Sequence, residues 1–343
     1  MDRRDFARVI VTGAAGFIGA AVSRRLLDDS VTVLGIDNLN DYYDVRLKEA
    51  RLKPLNTSPD FEFARVDVAD MTSLRDLVFE FDPDVIVHLA AQAGVRYSLE
   101  NPHAYVKSNI EGFLNVLELC RELQRRSESR FKKLVYASSS SVYGASADVP
   151  YRVSATADQP VSLYAASKRS NELMAYAYSS AFGIESVGLR FFTVYGPYGR
   201  PDMAYFKFAN MLVRGQSIPV FNGGKMERDF TYVDDIVNGV TASMGYVFSS
   251  ESTVKHRVFN LGNSKPVNLM EFIDCLEGEL IKKGLVQTAG KRDFLPMQTG
   301  DVPQTYADIG ESSRELGFFP VTDIQSGLAS FVDWFHSYYP NAI

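Results

Sequence analysis

The stretch Arg8-Val9-Ile10-Val11-Thr12-Gly13-Ala14-Ala15-Gly16-Phe17-Ile18-Gly19 decides the fold. Its first five residues read as a buried β-strand, and residues 16–28 read as a helix that begins among the glycines. Glycines let backbone amides approach a pyrophosphate at the positive end of a helix. The spacing is G-x-x-G-x-x-G rather than G-x-G-x-x-G, a variant of the dinucleotide-binding pattern. It predicts a cofactor site that includes Gly13, Gly16, Phe17, Ile18 and Gly19.

Beyond this turn, apolar runs alternate with helical patterns through the first half of the chain, as in a parallel sheet with helices on both faces. Further strands are predicted at 31–36, 61–66, 85–89, 133–137 and 186–189, and helices near 71–80, 104–126 and 162–182. The predicted fold class is therefore α/β, a Rossmann-type doubly wound parallel sheet with a smaller C-terminal α/β lobe.

The sequence pattern changes after Arg190, and glycine and proline become frequent at residues 196–201, as in a loop-rich region. A smaller lobe is predicted to begin here, while a later strand at 257–261 is expected to return to the main sheet. We predict a cofactor-binding domain at residues 1–190, with residues 230–262 rejoining it, and a second lobe formed by 191–229 and 263–343.

The ends of the next strands supply the rest of the predicted cofactor site. Asp37 follows the second strand, where a carboxylate can bind the adenosine ribose diol and repel a 2′-phosphate, so NAD is favoured over NADP. A plain acidic turn is the alternative. Asn109 is either an orienting group beside the site or an ordinary polar helix residue. The other predicted cofactor residues at this edge are Asn38, Asp67, Val68, Leu89, Ala90 and Ala91.

Composition excludes several classes of protein. The net charge of −6 and the absence of a long basic run give no footprint for nucleic acid. No apolar run approaches the roughly 18 residues of a membrane span, and the start of the chain lacks the apolar region of a signal peptide. Two cysteines and four histidines without ligand spacing predict no metal site. A cytoplasmic protein with no membrane partner is expected.

Tyr164 and Lys168 form the pair that carries chemistry. They lie four residues apart on a predicted helix, so a phenol and an ammonium share one face. A nearby cation can favour the phenolate, whose unperturbed pKa of about 10 would otherwise make it a poor base. Alone, Tyr-x-x-x-Lys is a weak motif in a chain with 18 tyrosines. A solvated helix face is the alternative.

Together with the glycine turn and this pair, the runs Ser138-Ser139-Ser140-Ser141-Val142-Tyr143-Gly144 and Arg228-Asp229-Phe230-Thr231-Tyr232 make the chain resemble the extended short-chain dehydrogenase/reductases that act on nucleotide sugars. Within them, residues 190–204 and 297–308 are similar to those of the UDP-glucuronate 4-epimerases. The resemblance implies NAD-dependent epimerisation at C4 of a UDP-sugar through a 4-keto intermediate. It implies that the second lobe binds the nucleotide sugar.

The resemblance also implies roles for single residues. Ser139 matches the catalytic hydroxyl that assists Tyr164, with Lys168 binding the nicotinamide ribose. Ser140 and Ser141 stand where relatives that dehydrate or decarboxylate the sugar carry acids. These two positions therefore offer no acid/base residue for elimination.

Substrate residues are predicted from the same resemblance. Arg228 is expected to bind the pyrophosphate through its two donors, and Arg200 with Thr193 to bind the uronate carboxylate. Gln298 stands where galactose-type relatives carry a phosphate-binding arginine. For Phe221, expected to face the uracil, a core role is the alternative, and for Arg96 the alternative is a surface role. The remaining predicted substrate residues are Ser139, Ser140, Arg96, Phe221 and Asp301.

Two other functions stay open at this point. A UDP-glucose/UDP-galactose 4-epimerase would share the catalytic residues and differ in the anion pocket. A dinucleotide-sensing protein without chemistry would usually lack the Tyr164–Lys168 pair. The resemblance further implies a homodimer held by the helices at 104–126 and 162–182.

Overall fold

The structure is a computed structural model that describes residues 6–144, 148–298 and 301–339. Its strands are β1 (Arg8–Thr12), β2 (Thr32–Ile36), β3 (Phe61–Ala64), β4 (Val85–His88), β5 (Lys133–Ser139), β6 (Ser186–Phe191), β7 (Thr193–Tyr195), β8 (Ile218–Phe221), β9 (Glu227–Arg228), β10 (Phe230–Tyr232), β11 (His256–Leu261), β12 (Val267–Asn268) and β13 (Arg292–Leu295). Its α-helices are α1 (Phe17–Asp28), α2 (Val45–Leu55), α3 (Met71–Phe81), α4 (Tyr97–Glu100), α5 (Pro102–Tyr105), α6 (Gly112–Arg125), α7 (Leu163–Phe182), α8 (Ala204–Val213), α9 (Val233–Met244), α10 (Leu269–Lys282), α11 (Gly310–Leu316) and α12 (Ile324–Tyr338).

Seven parallel strands form the central sheet in the order β3-β2-β1-β4-β5-β6-β11. The order reverses at β1, because β2 and β4 pair with its two sides, and ligands of open sheets bind at such a switch point. The predicted α/β doubly wound sheet is confirmed. The late strand β11 pairs with β6, with Asn260 opposite Arg190.

Side-chain alternation along the strands builds the two faces of the sheet. Val9 and Val11 pack into the core beneath α1 and α9, while Ile10 between them packs into the core beneath α3, α6 and α7. Successive strand residues point to opposite faces, so a strand buried on both sides must be apolar throughout. That requirement explains why the run from Val9 to Val11 holds no polar residue.

A second core is built mainly by the part of the chain after β7, with Leu47 of α2 packed against it. Apolar side chains of α8, α10 and α12 pack there, among them Phe206, Phe272 and Phe331, none of which is exposed. Small two-stranded sheets of β7 with β10, β8 with β13 and β9 with β12 connect the segments. No helix within the described ranges is long and apolar enough to span a bilayer.

Two elements differ from the sequence prediction. Helix α2 was not predicted, because its charged sequence and internal Pro54 mask the buried Leu47, Leu52 and Leu55. The single helix expected at 104–126 is instead a π-helical segment (Val106–Glu111) between α5 and α6. Single-turn π segments often occur at functional sites, and this one carries Asn109.

Candidate active site

The glycine turn packs tightly against the end of β4. A side chain on Gly13, which has φ +74°, would meet the Ala90 amide nitrogen at 2.8 Å, and one on Gly19 would meet the Gly13 carbonyl oxygen at 2.0 Å. Helix α1 begins after Gly16 with no side-chain cap, and its first residues line a cavity. Free amides at a positive helix end suit a phosphate group.

Most of the predicted site residues line this one cavity. They come from the glycine turn, from the carboxyl ends of β2, β3, β4 and β5, from α7 and from the turn before α8. They are Gly13, Gly16, Phe17, Ile18, Gly19, Asp37, Asn38, Asp67, Val68, Leu89, Ala90, Ala91, Ser139, Tyr164, Lys168 and Arg200.

Asp37 is held firmly at the end of β2. Its carboxylate accepts hydrogen bonds from the Ala15 amide at 3.2 Å and the Leu39 amide at 2.8 Å. Lys48 Nζ lies 3.7 Å from Asp37 Oδ1, and both side chains are buried. Burial lowers the pKa of Lys48, and the charge of Asp37 opposes that shift. The carboxylate that was predicted to select NAD therefore has a cation beside it.

Asn109, expected either to orient a group beside the site or to be an ordinary polar helix residue, does not line the cavity. Its side-chain oxygen accepts from the Gln92 amide at 2.7 Å, and its nitrogen donates to the Gln92 carbonyl at 3.1 Å and to Ser167 Oγ at 2.9 Å. The residue is buried because it joins the loop after β4 to α7. Gln92 itself lines the cavity.

Helix α7 presents the phenol and the ammonium to the cavity. Ser162 caps the helix through the Ala165 amide, so Tyr164 lies in the first turn. Lys168 Nζ donates to the Ala137 carbonyl at 2.9 Å, and burial lowers its pKa to about 8. The predicted spacing of the pair on one helix is confirmed.

The pKa of Tyr164 differs from the expectation that Lys168 lowers it. Burial raises this pKa, while the charge of Arg200 and a hydrogen bond with Ser139 oppose the rise. The ammonium instead faces a backbone carbonyl of β5. In this structure the cation that opposes the rise of the Tyr164 pKa is Arg200.

A buried ion pair supports the strand end that carries Ser139. Arg190 on β6 donates from Nε and Nη2 to the two oxygens of Glu172, each at 2.8 Å, and Ser138 Oγ donates to the same carboxylate at 2.6 Å. Burial raises the pKa of Glu172, but Arg190 holds it below its ordinary value overall. Glu172 follows Tyr164 and Lys168 on one face of α7, so the network fixes the helix against β5.

Arg200 is paired within its own turn. Its Nε donates to Asp202 Oδ1 at 3.0 Å, its Nη2 donates to Asp202 Oδ2, and Tyr42 donates to the same carboxylate at 3.2 Å. The Arg200 charge acts on Tyr164. Thr193, predicted to act with Arg200, does not line the cavity: it lies on β7, where its amide donates to the Asp229 carbonyl at 3.1 Å.

The other predicted substrate residues lie outside the main cavity. Arg96 and Phe221 line a second cavity together with residues 295–298, and the Arg96 guanidinium lies 5.5 Å from the centre of the Phe221 ring. Arg228 Nη2 forms an ion pair with Asp301 at 2.8 Å. Ser140 begins a 3-10 turn. Thr299 and Gly300 lie outside the described residues.

Sequence reasoning missed several residues of the main cavity. Several come from the segment after Asp37, which leads into and includes the start of the unpredicted α2, and most of the others lie at or just after the carboxyl ends of strands. Ser108 lies in the π-helical segment and Met203 directly before α8. For the residues at strand ends, their position after a predicted strand was the available signal. The missed residues are Asn40, Tyr42, Tyr43, Lys48, Val66, Gln92, Ala93, Ser108, Ala137, Ser138, Phe191, Phe192, Val194 and Met203.

Known proteins resemble this chain over nearly its whole length. The chain is 46% identical over 342 residues to UDP-glucuronate 4-epimerase 4 of Arabidopsis thaliana, covering 96% of this chain and 76% of that protein. It is 45% identical to Protein CapI of Staphylococcus aureus, covering 97% and 99%. The crystal structure of UDP-glucuronic acid 4-epimerase from Bacillus cereus in complex with UDP-glucuronic acid and NAD superposes with a TM-score of 0.85 at 31% identity, covering 97% of this chain and 100% of that one.

The family pattern spans the region that holds the site. The pattern of the NAD dependent epimerase/dehydratase family matches residues 9–262, from β1 through β11. That range includes the glycine turn, the pair on α7 and the turn that carries Arg200. By this match and by its near full-length relatives, the chain belongs to the NAD dependent epimerase/dehydratase family.

Proposed function

We propose that this protein is an NAD-dependent 4-epimerase that interconverts UDP-glucuronate and UDP-galacturonate. One observation carries the proposal: Tyr164 and Arg200 line the same cavity as the glycine turn, so an acid/base and a cation for a carboxylate lie beside a dinucleotide site. Relatives named UDP-glucuronate 4-epimerases, 43–46% identical over nearly the whole chain, support the same substrate.

The residues of the cavity fit NAD. The glycine turn leaves no room for side chains, as a pyrophosphate at a helix end requires. Asp37 offers a carboxylate at the ribose position, with Asn38, Asp67 and Val68 along the adenosine end and Leu89, Ala90 and Ala91 beside the glycines. When bound, NAD accepts a hydride from the sugar and returns it, and its oxidised ring carries a positive charge.

Tyr164 would act as the acid and base. As base it takes the proton of the sugar 4-hydroxyl, and as acid it returns that proton to the 4-keto oxygen. Its hydrogen bond with Ser139 and the charge of Arg200 favour the phenolate against the effect of burial. Lys168 is proposed to bind the nicotinamide ribose from the same helix face, while its hydrogen bond to Ala137 orients it.

The polar groups near Tyr164 favour epimerisation over elimination. Ser139 Oγ lies 3.1 Å from Ser141 Oγ, so hydroxyls occupy the place where dehydratases carry acids. Among the described residues that line the main cavity, the carboxylates are Asp37 and Asp67, both at the adenosine end. Glu172 is engaged by Arg190 behind the strand. A second base beside the keto sugar is therefore not provided by these residues.

The second cavity is proposed to hold the nucleotide of the substrate. Phe221 offers a ring to the uracil, and Arg96 lies against that ring as a cation for phosphate. Arg228 is proposed to bind the pyrophosphate after exchanging its partner Asp301 for phosphate oxygens. Ser139, Ser140, Thr193 and Arg200 are proposed on the sugar side, with Arg200 binding the uronate carboxylate.

A homodimer is part of the proposal. Large apolar side chains are exposed on α7 and on the helical segment packed beside it: Leu173 is 55% and Tyr176 52% exposed, and Val106 is 50% exposed. Such residues on adjacent helices favour a self-complementary interface with a second copy. We also propose a reducing cytoplasmic location, because Cys120 and Cys275 are unpaired.

The direct test is to offer the purified protein UDP-glucuronate and UDP-glucose in separate reactions and to resolve the products by NMR. Conversion of UDP-glucuronate to UDP-galacturonate, lost in Tyr164→Phe, is expected. Conversion of UDP-glucose alone would reject the uronate substrate. Equal turnover by the parent protein and Tyr164→Phe would reject the catalytic assignment.

A further inference from the structure

The guanidinium that lines the sugar end of the cavity already has an anionic partner. Asp202 engages one edge of Arg200 with both of its carboxylate oxygens, through Nε at 3.0 Å and through Nη2. Both side chains are 23% exposed, so water screens the pair only in part. Two donors aimed at two carboxylate oxygens form the geometry that binds a carboxylate most specifically. Asp202 therefore occupies Arg200 in the way that a uronate would.

A second residue keeps Asp202 in place. Tyr42, from the loop after Asp37, donates its hydroxyl to Asp202 Oδ2 at 3.2 Å and itself lines the cavity. Burial raises the pKa of Tyr42 to about 12, with Asp202 contributing, so the hydroxyl stays a donor at neutral pH. The carboxylate is thus held from both sides, by Arg200 and by Tyr42.

We infer that Asp202 is a positioning and specificity residue that makes Arg200 share its charge, so that a uronate sugar is bound loosely enough to turn over between the two hydride transfers. This inference rests on the proposed function. In a 4-epimerase the keto sugar must rotate within the site, so that the hydride returns to the face of C4 opposite the one it left. A fully uncompensated guanidinium would hold the carboxylate of one orientation and oppose that rotation.

The charge balance gives the direction of the effect. An incoming uronate carboxylate meets the attraction of Arg200 and the repulsion of Asp202, since the two protein groups together carry no net charge. A neutral hexose meets neither. Removing the charge of Asp202 should therefore tighten binding of the uronate alone and slow the step in which the sugar turns.

The test is Asp202→Asn, which keeps the shape and one acceptor for Arg200 while removing the charge. KM for UDP-glucuronate should fall about tenfold and kcat should fall several-fold. The binding assay uses a Tyr164→Phe background, in which turnover is blocked, and measures Kd by calorimetry of the NAD-loaded protein. Adding Asp202→Asn should lower the Kd for UDP-glucuronate about tenfold and change the Kd for UDP-glucose by less than twofold. Asp202→Ser gives the same readout if the asparagine variant folds poorly.

Two comparisons separate this role from a structural one. In an Arg200→Gln background, Asp202→Asn should no longer tighten UDP-glucuronate. Asp44→Asn removes the same charge from an exposed Arg46 pair and keeps the helix cap, so it should leave both affinities unchanged. Unchanged or weaker binding of UDP-glucuronate in Asp202→Asn overturns the inference. Because the binding assay needs no turnover, a parent protein without epimerase activity would count against the proposed function instead.

Discussion

Burial of Lys168 disfavours the charged form that its proposed role requires. The ammonium is 3% exposed and has a backbone carbonyl as its hydrogen-bond partner. Its folded pKa of about 8 lies below the ordinary 10.5, which means that the fold disfavours its charged form. Active sites commonly retain such costly groups.

We therefore predict that Lys168→Met stabilises the protein while abolishing turnover. Below pH 8 the parent carries the full cost of the buried charge. Between pH 8 and 10.5 the unfolded chain binds more protons than the folded one, so the stability of the parent rises with pH. The free energy of unfolding of the variant should exceed that of the parent by about 1–3 kcal/mol at pH 7, a figure that allows for the lost hydrogen bond to Ala137. The difference should be smaller at pH 9.5. Urea unfolding measures this; a gain that does not shrink with pH contradicts it. Exposed Lys207→Met is the control.

Asp37 and Lys48 make a second residue-scale prediction, about cofactor choice. The lysine lies 3.7 Å from the carboxylate, so removing the carboxylate leaves a buried cation near the ribose position. Asp37→Ser should shift the bound ratio of NADP to NAD by about tenfold or more, ~1.4 kcal/mol. The ratio is measured by releasing cofactor from protein equilibrated with both.

The matched variant isolates the cation in this prediction. The double variant Asp37→Ser with Lys48→Met lacks the positive charge that would pair with a 2′-phosphate. Its bound ratio of NADP to NAD should therefore fall back toward that of the parent. If both variants shift the ratio equally, Lys48 does not participate.

At the scale of elements, the strands were the predictable part and their surroundings were not. Runs such as Val85-Ile86-Val87 are apolar because both faces of the sheet are covered, and this pattern marks strands locally. Helix α2 has no comparable local signal, since its stability comes from packing and from a buried Arg51. The π segment at Val106–Glu111 carries Asn109, whose side chain bonds Gln92 in the loop after β4, and such a contact between separate segments has no local sequence signal.

The same contrast holds for the candidate site. Gly13 and Tyr164 belong to motifs that encode their own geometry, so the sequence predicted their place on the cavity. The partners Asp202 for Arg200 and Glu172 for Arg190 required knowledge of the fold. Asn109 shows the limit: the motif pattern places it near the site, yet its side chain bonds the Gln92 backbone and Ser167 and does not line the cavity.

Arg51 supports an element-scale prediction. Its guanidinium donates to the Ala15 carbonyl of the glycine turn and to the Tyr198 and Gly199 carbonyls beside Arg200, at 3.0, 2.9 and 3.2 Å. A lysine cannot donate in so many fixed directions. Arg51→Lys should lower the free energy of unfolding by about 2–4 kcal/mol.

Urea unfolding tests this prediction, and the same helix offers a control. Arg46 is 83% exposed on α2, so Arg46→Lys should change stability by less than about 0.5 kcal/mol. Equal effects of the two substitutions would show that the contacts of Arg51 add nothing beyond those of a surface arginine.

At the scale of the whole molecule, the proposed homodimer makes a prediction about mass. Light scattering of the parent should give about twice the 38.2 kDa of one chain. Leu173→Asp with Tyr176→Asp places charges on the exposed face of α7 and should yield a monomer. A parent that is monomeric at micromolar concentration rejects the dimer, and a variant that stays dimeric moves the interface elsewhere. Phe319→Asp, on a different exposed site, is the control.

The central claim is that hydride leaves C4 of UDP-glucuronate and returns to the same carbon. The most direct measurement is to run the reaction to equilibrium in D₂O and to read UDP-galacturonate by NMR. We predict that the product forms with protium retained at C4 and at C5, because Tyr164 exchanges only the hydroxyl proton with solvent. Deuterium at C4 would contradict the account, since it would require that the hydrogen of that carbon come from solvent and not from the returned hydride. Deuterium at C5 would show that the keto sugar loses a proton from that carbon, and it would contradict the proposal that the described residues of the cavity supply no second base.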